Sequence, residues 1–201
     1  MPVLGLTGGI ATGKSTFAPL LLNRLPEMGH FDSDRCVHEL LAGDDFISGQ
    51  ILKAFGSEAF GEDGRPNRKK LRDIVFSDEC RRKTLESIIH PAVRDCWTAE
   101  TLTAKRNNSW LLVDIPLLYE TGVQSEFDRV VVVACSQETQ VNRLIVERGL
   151  ALDLAARIIT AQLNIGAKTQ LADHVIWNDS TVSNLNGQSE LLAAWLKRNL
   201  G

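Results

Sequence analysis

The sequence predicts an α/β protein: a three-layer sandwich built on a five-stranded parallel β-sheet. Three observations predict this fold. Short apolar segments alternate along the chain with longer segments of helical periodicity, which is the pattern of β-α units. The short segments are apolar at nearly every position, as in strands that are covered on both faces. A glycine-rich loop separates the first apolar segment from the first helix, at the end of the strand where such sheets bind ligands.

The five predicted strands are short apolar runs bounded by polar or turn residues. They cover residues 3–7, 27–34, 110–114, 129–135 and 173–178. The second of them ends in the acidic string FDSD. The fourth is strongly β-branched, which favours a strand over a helix.

Between these strands the sequence predicts helices. The first begins at Gly13, directly after the glycine-rich loop. Later helices are predicted over residues 136–148 and over residues 153–162, where Asp153 is expected to be the N-cap. An amphipathic helix over residues 189–199 follows the last strand.

A long helical stretch lies between the second and third strands. It covers residues 35–106, apart from a Gly/Pro loop at 60–67, and His90 followed by Pro91 is typical of a helix start. This stretch is too long for a plain crossover between neighbouring strands. We therefore interpret residues 35–107 as an inserted helical subdomain on a core formed by residues 1–34, 108–137 and 172–201.

Composition excludes several classes of protein. The chain has 201 residues, of which 44% are hydrophobic and 23% charged, so it can bury the core of one domain. Its net charge of −3 gives no bulk electrostatic reason to bind nucleic acid. We expect no membrane partner, since we find no signal peptide and no apolar run of transmembrane length. Four scattered cysteines without a CxxC pair predict reduced thiols and a cytoplasmic protein.

The glycine-rich loop carries the strongest chemical signal. Gly8, Gly13, Lys14 and Ser15 satisfy the phosphate-loop pattern GxxxxGK[ST] between a strand and a helix. Glycines let backbone N–H groups approach phosphate oxygens, and the following helix points its positive end at the same anion. Lys14 is expected to reach the β- and γ-phosphates, and Ser15 to help hold Mg²⁺. The residues predicted to bind the nucleotide are Gly8, Gly9, Ile10, Ala11, Thr12, Gly13, Lys14, Ser15 and Thr16.

Three classes of phosphate-loop protein compete at this point. A GTPase would normally carry DxxG and NKxD, and neither string occurs. An ATPase of the ABC or AAA type usually has a glutamate after the acid on its magnesium strand, whereas Asp114 is followed by Ile115 and Pro116. A small-molecule kinase needs a second substrate pocket, which the inserted helical subdomain offers. A non-catalytic nucleotide sensor also fits the residues.

Polar side chains follow several strands at the edge where ligands bind in parallel sheets. Asp32 and Asp34 follow the second strand, Asp114 follows the third and Asn178 the fifth. If the second strand persists through FDSD, both of its carboxylates project from one face. Such a pair can accept a proton from a substrate hydroxyl or hold a metal-bound water, although Asp34 can equally be a helix cap.

Arginines form a second chemical signal. Arg143 and Arg148 lie on or after one predicted helix, and guanidinium groups stabilise the charge of a phosphoryl group in transfer. Arg68 begins a basic run after Pro66, which fits either a solvated face or contacts to an anionic substrate.

Taken together, these motifs resemble the dephospho-CoA kinase family. The matching strings run in family order over about four fifths of the chain. They are GLTGGIATGKS (5–15), DSDRCVHELL (32–41), RPNRKKLRDIVFSD (65–78), LESIIHPAV (85–93), LLVDIPLLYETG (111–122), QVNRLIVERG (140–149) and AQLNIGAKTQLADHVIWN (161–178).

The resemblance implies a reaction in which ATP phosphorylates the 3′-hydroxyl of dephospho-CoA, the last step of coenzyme A synthesis. It implies Mg²⁺, held by Ser15 and through water by Asp114, and a helical lid over the nucleotide at residues 138–171. Asp34 matches the proposed base, while Arg68 and Arg143 match arginines near the reacting groups. Besides the loop residues, the implied nucleotide contacts are Arg148 and Asn178. The implied contacts to the acceptor substrate are Asp32, Asp34, His38, Arg68, His90 and Leu117.

The chain departs from the family pattern at a few positions. Ala11 and Thr12 stand where the family usually has Gly-Ser, and Asn67 stands where an aspartate is common. None of these changes removes a group that the chemistry requires. Another nucleotide kinase stays open as an alternative activity, and we expect a monomer or a weak homo-oligomer.

Overall fold

A computed structural model describes residues 2–76 and 78–200 of the chain. Its centre is a five-stranded parallel sheet with the strand order β2-β3-β1-β4-β5, so the predicted fold class is confirmed. The strands are β1 (Val3–Gly8), β2 (Gly29–Asp32), β3 (Leu111–Asp114), β4 (Arg129–Ala134) and β5 (His174–Trp177).

Nine α-helices lie in the described residues. They are α1 (Lys14–Leu22), α2 (Ser33–Gly43), α3 (Asp45–Phe55), α4 (Arg68–Phe76), α5 (Glu79–Arg106), α6 (Gln137–Val146), α7 (Leu152–Thr160), α8 (Ile165–Leu171) and α9 (Val182–Leu200). Within this described part, no helix is both long and apolar enough to cross a membrane.

The chain divides into two compact units, one formed by the residues up to Phe31 and from Thr101 onward, the other by Asp32–Glu100. The first unit contains the sheet, and strand β1 is buried along its whole length. Leu4 and Leu6 of β1 belong to a core that also contains residues of α1 and α9. Burial of these apolar side chains is the main force that holds α1 and α9 on the sheet, at roughly 2 kcal/mol for each fully buried leucine.

The second unit is helical and contains α2, α3, α4 and most of α5. Ile47, Ile51 and Phe55 are buried at helical spacing on α3, and Val93 and Trp97 are buried on α5. An apolar stripe of this kind is the reason that each helix folds against others in the unit. The assignment of a substrate-binding insert at 35–107 and a lid at 138–171 stays a prediction.

The end of the second strand was predicted wrongly. Strand β2 ends at Asp32, so Asp34 lies in the first turn of α2 and the two carboxylates do not share a strand face. The Asp32 side chain causes the change, because it accepts hydrogen bonds from the backbone N–H groups of Asp34 and Arg35. Asp32, rather than Asp34, is therefore the cap of this helix.

Three helix boundaries also differ from the prediction. His90 and Pro91 lie inside α5 instead of starting a helix, because buried residues at helical spacing on both sides keep that helix continuous. Asp153 is not a cap: α7 begins one residue earlier and has Ala151 at its N-cap position. Helix α9 begins at Val182, seven residues before the predicted start at 189, because Leu185 anchors the additional turns in the core.

Candidate active site around the phosphate loop

The loop between β1 and α1 has the backbone that a phosphate site requires. Gly13 adopts a φ of 92°, a left-handed conformation that glycine takes without strain, and it forms the N-cap position of α1. At Gly8 the backbone passes so close to β4 that a Cβ atom would clash with the Val133 carbonyl oxygen. The predicted strand–loop–helix context of the motif is confirmed.

Lys14 and Asp114 form an ion pair at the opening of this loop. The Lys14 ammonium donates to a carboxylate oxygen of Asp114 at 2.5 Å, and the two side chains are 16% and 10% exposed. Asp114 is the last residue of β3, which pairs with β1 so that Leu6 faces Asp114. The neighbouring strands therefore bring together a cation and an acid that are 100 residues apart. A triphosphate that enters the loop would compete with the carboxylate for this ammonium.

The three hydroxyl-bearing residues of the loop differ in environment. Ser15 and Thr16 are exposed at the start of α1, so their hydroxyl groups are available to a ligand. Thr12 is fully buried, and its hydroxyl donates to the Gly9 carbonyl oxygen at 2.9 Å. Thr12 thus stabilises the loop through its side chain.

Arg143 and Asn178 bind the backbone of the same loop. The half-buried guanidinium of Arg143, on α6, donates to the carbonyl oxygens of Ala11 at 3.0 Å and Asn178 at 2.8 Å. The buried amide of Asn178 donates to the Thr12 carbonyl oxygen at 2.8 Å. These contacts fix the part of the loop where Ala11 has a positive φ of 59°.

The other two predicted residues of this unit have different surroundings. Arg148 is exposed and follows α6, with no contact that ties it to the loop in the described structure. Leu117 is half-buried just after β3. In the described structure, Arg143 therefore contacts the loop, whereas Arg148 does not.

Titratable groups beside the loop have shifted pKa values. Burial raises the pKa of the Cys135 thiol, whose sulfur lies 4.0 Å from the Ala11 carbonyl oxygen, to about 11. This cysteine is therefore a protonated thiol at neutral pH. Partial burial would raise the pKa of Asp179, but hydrogen bonds from Thr139, Ser136 and Trp177 outweigh it and lower that pKa.

The second unit holds the remaining predicted residues. Asp34 and His38 are exposed one turn apart on α2, so they share a face of that helix. Arg68 is the exposed first residue of α4, and His90 is half-buried within α5. Asn67, the departure from the family pattern, caps α4: its side-chain oxygen accepts from the N–H groups of residues 69 and 70 at 3.0 and 3.1 Å.

Sequence reasoning missed four side chains that hold the phosphate loop or its surroundings. Gln140 donates to the Ile10 carbonyl oxygen at 2.7 Å, and Gln162 accepts from the Ile10 N–H group at 2.8 Å. Lys168, which is fully buried, forms an ion pair with the partly exposed Glu120 at 2.8 Å, close to the start of the loop. The signal for all four was present, since each lies within a string that matches the family.

The side-chain oxygens near the phosphate loop suit a cation that needs few protein ligands. Among residues 2–76 and 78–200, no group of three His, Cys, Asp or Glu side chains is placed to hold a metal ion. Mg²⁺ commonly uses one or two protein oxygens and completes its shell with substrate phosphates and water. The Asp114 carboxylate and the Ser15 hydroxyl at the loop are such oxygens.

Comparisons with known proteins identify the family. A family profile described as dephospho-CoA kinase matches residues 2–184. A dephospho-CoA kinase from Symbiobacterium thermophilum is 38% identical over 196 residues, which cover 97% of this chain and 80% of that protein. A crystal structure from Thermus thermophilus matches with a TM-score of 0.77 and 28% identity, over 100% of this chain and 98% of its own. The dephospho-CoA kinase of Campylobacter jejuni matches in fold, with a TM-score of 0.66 and 24% identity over 97% of both chains. The chain therefore belongs to the dephospho-CoA kinase family and is a kinase.

Proposed function

We propose that the chain transfers the γ-phosphoryl group of ATP to the 3′-hydroxyl of dephospho-CoA, which gives coenzyme A and ADP. The family names the two substrates. The observation in this chain that carries the proposal is the Lys14–Asp114 ion pair at the opening of a glycine loop that leads into α1. It is the arrangement that a kinase uses to receive the β- and γ-phosphates of a nucleoside triphosphate.

In this proposal the phosphates of ATP lie against the backbone N–H groups of residues 8–16 and the N-terminus of α1. Lys14 moves its charge from Asp114 to the β- and γ-phosphates. Arg143 uses two of its N–H groups to hold Ala11 and Asn178, and a guanidinium has five such donors. The remaining donors of Arg143 neutralise charge on the transferred group.

Mg²⁺ is proposed to bind to the Ser15 hydroxyl and, through water, to Asp114. When bound, the ion supplies positive charge that neutralises the phosphate oxygens during transfer. The protein's own part is to present these two oxygens beside the loop and to keep Lys14 available for the phosphates.

Asp34 is proposed to orient the acceptor 3′-hydroxyl and to accept its proton, and Arg68 to neutralise the acceptor side of the phosphoryl group. The exposure of Asp34 in the first turn of α2 supports this role, because Asp32 already caps the helix and leaves the Asp34 side chain free of that task. Asp32, His38, His90 and Leu117 stay predicted contacts to dephospho-CoA.

Other parts of the assignment remain predictions that rest on the resemblance and the sequence. Residues 35–107 are proposed to bind the acceptor substrate, and residues 138–171 to close over ATP and exclude water, which would otherwise hydrolyse it. A cytoplasmic location and a monomeric or weakly oligomeric state are proposed on the same basis.

A kinase assay with three acceptors tests the reaction. The protein is given Mg·ATP with dephospho-CoA, with AMP or with no acceptor, and ADP release is followed. Release that requires dephospho-CoA supports the proposal. Release with AMP alone would instead identify a nucleoside-monophosphate kinase, and ATP binding without any release would identify a nucleotide sensor.

The proposed base is tested by Asp34→Asn. We expect kcat to fall by about 10²-fold while the Kd for ATP stays within twofold, since an amide cannot accept the proton. Asp44→Asn is the matched control: Asp44 caps α3 with its side-chain oxygen, and asparagine caps equally well. Near-normal turnover of the Asp34→Asn enzyme would reject the assignment.

A further inference from the structure

Lys168 on α8 is a buried cation that the proposed reaction does not use. Its side chain is 0% exposed. Among the residues the structure describes, no other lysine or arginine is fully buried. Removing an ammonium group from water is unfavourable by several kcal/mol unless all of its donors are satisfied. Here all three N–H donors have an acceptor: the carbonyl oxygens of Gly8 and Pro116, both at 3.3 Å, and a carboxylate oxygen of Glu120 at 2.8 Å.

The two carbonyl groups belong to the segments that carry the Lys14–Asp114 pair. Gly8 ends β1 and begins the phosphate loop, and Pro116 follows Asp114 by two residues. The Pro116 carbonyl oxygen also accepts from the Thr7 hydroxyl at 3.1 Å. Lys168 therefore joins the exit of β1 to the exit of β3 through their backbones, independently of the side-chain pair that joins the same two segments.

The chain just before Lys168 makes further contacts with this region. Gln162 accepts from the N–H group of Ile10, and the N–H group of Leu163 donates to the same Glu120 oxygen at 2.9 Å. Residues 162–168, which we call the return segment, thus bind the loop at Gly8 and at Ile10. These contacts fix both peptide groups that flank Gly9.

We propose that Lys168 is a positioning residue for ATP: its ammonium holds the Gly8 and Pro116 carbonyl groups in register. Held in this way, the loop N–H groups and the Lys14–Asp114 pair keep the geometry that receives the triphosphate. The inference rests on the proposed phosphate-binding role of the loop, and Lys168 itself touches no phosphate.

A purely structural role for the Lys168–Glu120 ion pair would have different consequences. If Lys168 and Glu120 only stabilised the fold, replacing the lysine would lower the free energy of unfolding and leave the properties of the folded enzyme unchanged. A positioning residue changes ATP affinity and kcat in the folded protein, and it leaves the KM for the acceptor unchanged.

Lys168→Met is the test variant, because methionine keeps much of the side-chain volume and removes the three donors. Glu120 is 21% exposed, so its carboxylate can be hydrated in this variant. We expect the Kd for ATP, measured by calorimetry without an acceptor, to rise at least tenfold, and kcat to fall at least tenfold. The KM for dephospho-CoA is expected to stay within twofold of wild type. Lys168→Gln, whose amide keeps two donors, is expected to have an ATP Kd and a kcat between those of Lys168→Met and wild type. Lys197→Met, at an exposed lysine of α9, is the matched control.

An ATP Kd and a kcat within twofold of wild type in folded Lys168→Met would overturn the proposal. So would equal rises in the KM values of both substrates. If the methionine variant does not fold, the same limits apply to Lys168→Gln. The calorimetric measurement needs no turnover. A protein whose ATP affinity depends on Lys168 but that does not phosphorylate dephospho-CoA would therefore contradict the proposed function and leave this inference intact.

Discussion

At the scale of single residues, Ala11 in the phosphate loop has a strained backbone that neighbouring side chains hold in place. Ala11 has a positive φ of 59°, which an L-residue adopts at a cost of about 1–2 kcal/mol. The hydrogen bond from Gln140 to the Ile10 carbonyl oxygen and that from Arg143 to the Ala11 carbonyl oxygen hold the peptide groups on both sides of Ala11. The loop therefore keeps its shape through neighbouring side chains, although residue 11 is not a glycine.

Ala11→Gly is expected to raise the free energy of unfolding by about 0.5 kcal/mol. Relief of about 1–2 kcal/mol of strain is offset in part by about 0.4–1 kcal/mol from the greater freedom of the unfolded chain. Urea unfolding measures the difference. Ala156→Gly, at an exposed position inside α7, is the control and should lose about 1 kcal/mol. A loss of similar size in Ala11→Gly would show that the backbone at residue 11 is not strained.

At the scale of secondary structure, helix ends depend on contacts that are remote in sequence. Helix α9 begins at Val182, although its first turns contain Asn184, Asn186 and Gly187, which are poor helix formers. Leu185 is 1% exposed in these turns and belongs to the core that α1 and the sheet share. Tertiary packing thus extends the helix beyond the segment that its periodicity favours.

Leu185→Ala should therefore destabilise the protein by about 3 kcal/mol, through lost burial and the cavity that remains. Leu191→Ala on the same helix is the matched control, because Leu191 is 73% exposed and its truncation should change stability by less than about 0.5 kcal/mol. Chemical denaturation of both variants gives the comparison. Equal effects would mean that the first turns of α9 do not belong to the core.

At the scale of the whole molecule, one histidine links folding to pH. His174 of β5 lies edge-on to Trp195 of α9, with ring centroids 4.3 Å apart. Burial lowers the pKa of His174 below its ordinary value of 6.5; nearby Arg129 also lowers it, while Asp173 acts in the opposite direction. The folded protein consequently binds this proton less readily than the unfolded chain does.

The sign of the pH effect follows from linkage. As pH falls below about 6.5, the unfolded chain takes up the proton first, so the free energy of unfolding decreases until the folded-state pKa is passed. We expect His174→Phe, which keeps an aromatic ring beside Trp195, to lose less stability between pH 7.5 and pH 5.5 than the wild type does. An unchanged slope in His174→Phe would contradict the lowered pKa.

Much of the fold and the location of the phosphate loop were determined by the sequence alone. Apolar runs and the spacing of Gly8, Gly13 and Lys14 depend on residues a few positions apart, and their physical consequences are local: strand, turn and helix start. Five strands and the strand–loop–helix context were therefore predicted correctly, with boundaries within one or two residues for most strands.

Only the tertiary structure decided which side chains hold that loop and where several helices begin. Lys168 meets Gly8 across 160 residues, and Gln162 meets Ile10 across 152 residues. The spacing around a buried lysine such as Lys168 does not distinguish it from a solvated one, because its burial depends on how the sheet brings distant segments together. The same reason explains Asp32 and His90: whether a polar residue caps, interrupts or continues a helix depends on packing, and sequence spacing does not contain that information.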